Sequence, residues 1–165
     1  MKTLYLALGS NLGNREANIQ EAKRALEALL KVPGQMSDII ETPSWGFVGE
    51  DFLNSVVRFD LPESGVDAEL YLTALLREIK AIEAGMGRKI ESIGNIHPDV
   101  KREYGNRTID IDIIFFDSYR VDTSLLTVPH PRAAERDFVM IPLRQVAGDK
   151  LKADFPEYFG GNARK

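Results

Sequence analysis

The sequence has no cysteine and only two histidines, and each shortage excludes a kind of chemistry. Without cysteine, the chain can form neither disulfides nor thiolate metal sites. His97 and His130 are too few to assemble a zinc cluster. An excess of positive charge is also missing, because 21 basic and 25 acidic residues leave a net charge of −4. This balance argues against a nucleic-acid-binding surface as the main function.

Long apolar runs are missing as well. No segment approaches the roughly 20 apolar residues that a membrane span needs. The N-terminal apolar run stops after Leu8, which makes it too short for the hydrophobic part of a secretory signal. We therefore expect a cytoplasmic protein that binds no membrane. A length of 165 residues, of which 44% are hydrophobic, predicts a single domain over residues 1–165 with a real core.

Hydrophobic periodicity predicts alternating strands and helices along the chain. Asn14 is a candidate helix cap, and Pro33-Gly34 is a stop signal. The element order β-α-β-β-α-β predicts an α+β fold of the ferredoxin-like type, with an antiparallel sheet and a C-terminal extension. The predicted strands lie at 3–8, 36–42, 52–61 and 108–116, and the predicted helices run from Asn14 to about Val32, over 67–86 and from about Asp137 to Val146.

The strand "TIDIDIIFF" at 108–116 carries two aspartates among apolar residues. Buried carboxylates are costly unless they are compensated, so Asp110 and Asp112 need an explanation. They could blunt the pairing of an edge strand. Alternatively, Cα atoms about 7 Å apart on one face of a strand allow both carboxylates to bind one or two hard cations such as Mg²⁺. Arg107, just upstream, favours the metal interpretation, because phosphate chemistry needs fixed positive charge beside the metal.

Alternation within this strand predicts which side chains share a face. It predicts one face with Ile109, Ile111, Ile113 and Phe115, and a second face with Thr108, Asp110, Asp112, Ile114 and Phe116. Ile114 and Phe116 indicate that later parts of the chain cover this second face too.

Two other segments remain open to more than one interpretation. Trp45, Phe47 and Phe52 cluster beside Asn54, and the rings could equally close the core or recognise a flat heterocycle. The segment Gly9-Ser10-Asn11 joins a strand to a helix, so its amides could receive an anion. It lacks the Lys-Ser/Thr ending of a phosphate-binding loop, which favours a tight structural turn.

Taken in order, several motifs between Leu4 and Leu143 resemble one enzyme family. They are "ALGSNLGNR", "ETPSWG", "FLN", "GNRTIDIDIIFF", "VPHPR" and "RDFVMIPL". This combination resembles 6-hydroxymethyl-7,8-dihydropterin pyrophosphokinase of folate biosynthesis. The resemblance implies a ferredoxin-like fold and transfer of the terminal pyrophosphate of ATP to the hydroxymethyl oxygen of a reduced pterin, releasing AMP. ATP and the pterin are then the partners of an enzyme that we expect to be a monomer.

The resemblance also implies roles for individual residues. Asp110 and Asp112 match the aspartates that bind two Mg²⁺ ions, with Arg88 and Arg107 as further catalytic residues. Phe52 and Phe138 match the rings that sandwich the pterin. The implied pterin site comprises Thr42, Pro43, Ser44, Trp45, Gly46, Phe52, Asn54 and Phe138. The implied nucleotide site comprises Lys80, Glu83, Arg88, Tyr104, Arg107, Ile113, Thr127, His130 and Arg136.

The chain departs from the family pattern around the phosphates. Ile90 and Leu125 stand where the family has arginines, and Tyr104 stands where a tryptophan often occurs. The connection between the second helix and the strand at 108–116 is also long. We hypothesise that its segment Lys89–Glu103 closes over ATP and that Lys101 or Arg102 supplies part of the missing positive charge. A solvated insertion is the alternative.

Functions from two other classes explain parts of the sequence. A non-catalytic ferredoxin-like binding module accounts for the element order, but not for the aspartate pair with Arg107 and His130. A metal-dependent phosphohydrolase accounts for the acidic and basic residues, but not for the aromatic and amide cluster.

Overall fold

The structure is a computed structural model that describes residues 1–43, 51–88 and 108–159. Its main sheet contains β1 (Lys2–Ser10), β2 (Gly34–Met36), β3 (Ile40–Thr42), β4 (Phe52–Leu61) and β5 (Asp110–Phe116). Helix α1 (Arg15–Leu30) follows β1, and α2 (Ala68–Glu83) follows β4 and continues into a turn at Ala84–Arg88 that is kinked at Gly87. The C-terminal part contains the ribbon β6 (Val121–Asp122) and β7 (Thr127–Val128), a 3-10 turn at Ala133–Glu135, and the helices α3 (Asp137–Val146), α4 (Asp149–Asp154) and α5 (Pro156–Phe159).

The strands of the main sheet pair in the order β2-β4-β1-β5, with β3 also on β4. All of these pairs are antiparallel. The central strand β1 therefore lies between β4 and β5, and both of its neighbours come from distant parts of the sequence. This topology confirms the predicted ferredoxin-like α+β fold with its antiparallel sheet and C-terminal extension.

One face of the sheet, the first face, carries Leu4, Leu6 and Leu8 of β1 and packs against α1 and α2. The Asn14 side chain caps α1 as predicted, accepting the backbone N–H of Ala17 at 3.1 Å. Both helices bury one apolar stripe, as their 3.6-residue periodicity predicts. The buried stripes are Ile19, Ala22 and Leu26 in α1, and Leu72, Leu75 and Ile79 in α2.

The opposite face, the second face, carries Tyr5, Ala7 and Gly9 of β1. Helix α3 covers its Tyr5 end, where Val139, Met140 and Leu143 pack with Tyr5, Val56 and Phe115. The prediction that later parts of the chain cover this face is confirmed. No helix in the described ranges has both the length and the apolar character that crossing a bilayer requires.

The predicted strand at 36–42 is wrong in one respect, because it consists of two strands. Met36 pairs with Val57 and Ile40 pairs with Asn54, so three residues stand opposite two. Ser37 explains the interruption, since its hydroxyl accepts the backbone N–H of Val56 at 2.9 Å, as a ladder carbonyl would. The irregularity separates β2 from β3.

The predicted alternation along β5 also fails at its end. Ile113 pairs with Leu6 and Phe115 pairs with Tyr5, so Ile114 is the extra residue of a β-bulge. Beyond the bulge the two faces exchange. Phe115 lies in the core of the second face and Phe116 in that of the first, opposite to the prediction.

The predicted turn at Gly9-Ser10-Asn11 begins too early. Strand β1 continues to Ser10, which pairs with Leu53. The turn follows the strand, and the Asn18 side chain holds it by donating to the backbone oxygen of Leu12 at 2.8 Å. Gly9 therefore belongs to the sheet, where it pairs with Asn54 on β4 and Asp110 on β5.

Candidate active site

Beyond the N-terminal end of α3, the second face opens into a first cleft of about 760 Å³, including space open to solvent. Strands β1, β4 and β5 form its floor, and residues before β4 and at the start of α3 form its walls. Its lining residues are Ala7, Leu8, Gly9, Thr42, Pro43, Phe52, Asn54, Ser55, Asp110, Asp112, Arg136, Phe138 and Val139.

The strand register aligns three residues across the floor of the first cleft. Gly9 pairs with Asn54 on one side and with Asp110 on the other. Ala7 forms the next row, pairing with Asp112 on β5. Directly paired residues share a face of an antiparallel sheet, so the Asn54 amide and both carboxylates point into the same cleft.

A side-chain hydrogen bond holds the Asn54 amide in place within the first cleft. Asn54 is 7% exposed, and its Nδ2 donates to the Thr42 hydroxyl at 2.7 Å. The rings of Phe52 and Phe138 are half-buried in the walls. The Arg136 guanidinium carbon lies 5.5 Å from the centroid of the Phe138 ring, within cation–π range.

A second cleft, of about 750 Å³ including open space, lies on the other side of β5. Leu76 and Lys80 of α2 line one wall, and Thr127 and His130 line another. Ile111 and Ile113 contribute from β5, and residues 123–126 form the rim. Asp112 lines both clefts and therefore connects two spaces of different chemistry.

The electrostatics of Asp112 are unusual for a carboxylate. Burial, followed by the charges of Asp110 and Glu83, raises its pKa from 3.8 to about 7, while Arg136 and Lys80 oppose this shift. A carboxylate pair under such repulsion is suited to a cation. In the described ranges, no group of three or more His, Cys, Asp or Glu side chains is arranged to hold a metal ion. A cation bound here would need further oxygen ligands from water or phosphate, which is how Mg²⁺ commonly binds.

Buried groups cover the outer edge of β5. Glu83 is only 2% exposed, and its carboxylate accepts the backbone N–H of Ile111 at 2.8 Å. The backbone N–H of His130 donates to the Ile114 carbonyl at 3.0 Å. In the described part of the sheet, β5 is the edge strand. This position is what the alternative interpretation requires, in which Asp110 and Asp112 blunt the pairing of an edge strand. Its aspartates nonetheless face the first cleft, and Glu83 and His130 protect the edge instead.

His130 is held as a neutral donor beside the second cleft. Its Nδ1 accepts the backbone N–H of Arg132 at 3.3 Å, which leaves Nε2 as the protonated nitrogen of the neutral ring. Burial, reinforced by Arg136, lowers the pKa of His130, while the Asp110 carboxylate acts in the opposite direction. A neutral imidazole can donate one hydrogen bond without adding charge.

A family model describing 7,8-dihydro-6-hydroxymethylpterin-pyrophosphokinase (HPPK) matches residues 5–148. The chain belongs to the HPPK family. It is 35% identical over 147 residues to the 2-amino-4-hydroxy-6-hydroxymethyldihydropteridine pyrophosphokinase of Aquifex aeolicus, with coverage of 88% of this chain and 81% of the relative. A pyrophosphokinase of the same name from Porphyromonas gingivalis is 36% identical, with coverage of 89% and 92%.

Membership of the HPPK family makes this chain a pyrophosphokinase, an ATP-dependent diphosphotransferase that acts on hydroxymethyldihydropterin in folate synthesis. A solved structure of an HPPK–DHPS in complex with substrates matches the fold with a TM-score of 0.53 at 14% identity. That match covers 99% of this chain but only 44% of the other, longer chain. At this identity the likeness bears on the fold alone.

The structure distributes the residues predicted for an HPPK site between the two clefts. Thr42, Pro43, Phe52, Asn54 and Phe138, all predicted for the pterin, line the first cleft. Lys80, Ile113, Thr127 and His130, all predicted for the nucleotide, line the second. Arg136 lines the first cleft, and Glu83 lies buried behind β5. The remaining predicted parts, Ser44, Trp45, Gly46, the Arg88 side chain, Tyr104, Arg107 and the Lys89–Glu103 segment, lie outside the described residues.

Sequence reasoning did not predict that Ala7 and Gly9 line the first cleft. The motif "ALGSNLGNR" contains both residues. It does not show that they line a cleft, because this depends on β1 pairing with both β4 and β5. Alternation along β1 could have placed them on one face with Tyr5, but only the strand order puts that face between Asn54 and the aspartates.

Proposed function

We propose that the chain transfers the terminal pyrophosphate of ATP, as one unit, to the hydroxymethyl oxygen of 6-hydroxymethyl-7,8-dihydropterin, releasing AMP, in a reaction that depends on two Mg²⁺ ions. The pterin is assigned to the first cleft and ATP to the second. The observation that carries this proposal is that Asp112 lines both clefts. A group passing from a ligand in one cleft to a ligand in the other would pass beside this carboxylate.

The chemistry of the first cleft suits a flat heterocycle. Phe52 and Phe138 offer ring faces for stacking, and Asn54 offers an amide for the hydrogen-bonding edge of the pterin. Stacking occupies the two faces of the ligand and leaves its edges available. Its hydroxymethyl arm would then point toward Asp110, across the strand from Asn54.

The second cleft combines an apolar floor with polar groups at its edges. Leu76 and Ile113 would contact the adenine, and Thr127 and the Nε2–H of His130 would serve as donors near the phosphates. The exposed Lys80 adds positive charge on the same side.

In the proposed step, the pterin hydroxyl oxygen forms a bond to the β-phosphorus of ATP. The bond between this phosphorus and the oxygen bridging to the α-phosphate breaks, AMP leaves with the electron pair, and the hydroxyl proton passes to solvent. Asp110 and Asp112 would hold Mg²⁺, which neutralises phosphate charge and polarises the phosphorus under attack. Arg136, over Phe138, would place a fixed positive charge near the arriving pyrophosphate.

Calorimetry and product analysis test this function against its alternatives. Titration with a non-hydrolysable ATP analogue, with and without Mg²⁺ and pterin, should give Mg²⁺-dependent nucleotide binding and a separate pterin site. Incubation with ATP, Mg²⁺ and pterin should then yield AMP and pyrophosphorylated pterin in equal amounts. Phosphate release without modified pterin would indicate a phosphohydrolase. Binding without any product would indicate a non-catalytic module.

A further inference from the structure

The end of α2 turns back toward the start of β5 at a glycine. In the turn Ala84–Arg88, Gly87 has a φ of 120° and a ψ of −19°, which is outside the helical region. Residues other than glycine adopt such a positive φ only with strain, because their Cβ atom crowds the backbone. Gly87 is therefore the residue at which the chain can leave its helical path and change direction.

The space beside Gly87 excludes a side chain as well. A Cβ atom there would lie 3.1 Å from Thr108 Oγ1 and 3.6 Å from Thr108 Cβ. The first distance is tighter than ordinary van der Waals contact, so the Thr108 side chain would have to shift. Gly85, in the same turn, differs in both respects, because its φ is not positive and a Cβ there meets nothing within 4 Å. The turn thus lies against Thr108 at Gly87 and is open at Gly85.

The contact between Gly87 and Thr108 is one of two that fasten the end of α2 to β5. The other involves the buried Glu83 carboxylate, which accepts the backbone N–H of Ile111 at 2.8 Å. Thr108 lies two residues before Asp110, and Ile111 directly follows Asp110. The two contacts therefore hold the chain on both sides of Asp110, which lines the first cleft.

We propose that Gly87 is a positioning residue for pyrophosphoryl transfer. Its positive φ and its lack of a Cβ atom let the turn lie against Thr108, and this contact fixes where the Arg88 backbone stands relative to the carboxylates of β5. Arg88 is predicted to be catalytic, and a positive charge accelerates transfer only when it is held where phosphate charge develops. The inference rests on the proposed function and extends it to a residue that lines neither cleft.

The substitution Gly87→Ala tests the inference, with Gly85→Ala as the matched control from the same turn. Gly87→Ala should lower kcat by about tenfold to 100-fold, the loss that a misplacement of about 1 Å can cause. Gly85→Ala should change kcat less than about twofold. Pterin affinity without nucleotide, measured by calorimetry, should stay within about twofold of the wild type in both variants, because neither glycine lines the first cleft.

Two results in the Gly87→Ala variant would overturn the inference. A purely structural glycine would give a lower thermal midpoint of unfolding while the kcat of the folded protein stays at the wild-type value. A loss of pterin affinity as large as the loss of kcat would mean that the substitution disturbs the first cleft and not the alignment of the phosphate.

A second pair of variants leaves Gly87 and its backbone conformation in place. Thr108→Ala removes Oγ1, the atom nearest to the Cβ position of Gly87, whereas Thr108→Ser keeps it. We expect Thr108→Ala to lower kcat by about threefold or more at unchanged pterin affinity, and Thr108→Ser to restore most of this loss. Equal kcat values for the wild type and Thr108→Ala would overturn the inference and leave the proposed function intact. No pyrophosphorylated pterin from the wild type would overturn the proposed function itself, together with the inference.

Discussion

The two ends of the second face show how one sheet serves two purposes. At the Tyr5 end, α3 covers the strands with apolar side chains, and the Tyr5 hydroxyl accepts the backbone N–H of Gly148 at 3.1 Å. At the Gly9 end, the same three strands present an amide, two carboxylates and a bare backbone to an open cleft. The covered end stabilises the fold, and the open end brings Asp110 and Asp112 close enough to repel each other, a repulsion that a bound cation would reduce. Substitutions at the two ends should therefore affect different measurable quantities.

The largest expected effect is on catalysis at the open end. Asp110→Asn or Asp112→Asn should reduce pyrophosphoryl transfer by about 100- to 1,000-fold or more, since removing a single electrostatic stabiliser already has that effect in other enzymes. Circular dichroism should show an intact fold. Steady-state rates at saturating Mg²⁺ provide the measurement, and near-wild-type turnover in either variant would falsify the metal assignment.

A covered position should lose stability and keep its ligands. Leu6 is fully buried on the first face, so Leu6→Ala should lower the free energy of unfolding by about 2–5 kcal/mol. The control Leu70→Ala, at a site that is 67% exposed, should change it by less than about 0.5 kcal/mol. Urea denaturation measures both. Where the Leu6 variant is folded, its affinities for ATP analogue and pterin should match those of the wild type.

Removing either aromatic ring of the first cleft should weaken the binding of the pterin and leave the binding of ATP unchanged. Phe52→Ala and Phe138→Ala should each weaken pterin binding by about 1–3 kcal/mol, if stacking here resembles that of bases on aromatic side chains. Affinity for the ATP analogue without pterin should barely change. Phe159→Ala, a half-buried ring over Phe115 that lies outside the cleft lining, serves as the control and should leave pterin binding unchanged. Equal losses for both ligands would mean that the rings support the core.

The smallest effect concerns the stability of the metal-free protein. Because the pKa of Asp112 is raised to about 7 in the folded state, folding binds a proton between about pH 4 and pH 7. The Asp112 carboxylate therefore lowers the free energy of unfolding as pH rises through that window. The full destabilisation is present above about pH 7. Asp112→Asn should stabilise the metal-free protein on the order of 1–2 kcal/mol at pH 8 and hardly at pH 4, since water in the cleft screens part of the repulsion.

Thermal unfolding in the presence of a chelator measures this difference across the pH range. Asp38→Asn, at an exposed position away from both clefts, should show no such trend. Added Mg²⁺ at pH 8 should stabilise the wild type and not Asp112→Asn, which reverses their order. A constant difference between the two proteins at all pH values would contradict the electrostatic account.

Several features could be predicted from the sequence because they depend on local patterns. The helical stripes, the Asn14 cap, the bounds of α3 and the alternation that puts Asp110 and Asp112 on one face all follow from periodicity and neighbouring residues. The combination of motifs between Leu4 and Leu143, including the segment around these aspartates, was also enough to indicate the family. The same reasoning failed at Ser37 and Ile114, where one extra residue relative to the partner strand interrupts the regular pairing.

The residue types along the chain are enough to show which chemistry it carries: oxygen ligands for a cation, flat rings, an amide and several positive charges. Only the tertiary structure decided how these groups are shared between two spaces. Strand pairing brings Asn54, Gly9 and Asp110 into one row although they are far apart in the chain, and it turns Asp112 toward both clefts. Such proximity depends on long-range register, and a pattern within one segment carries no information about which strand lies beside it.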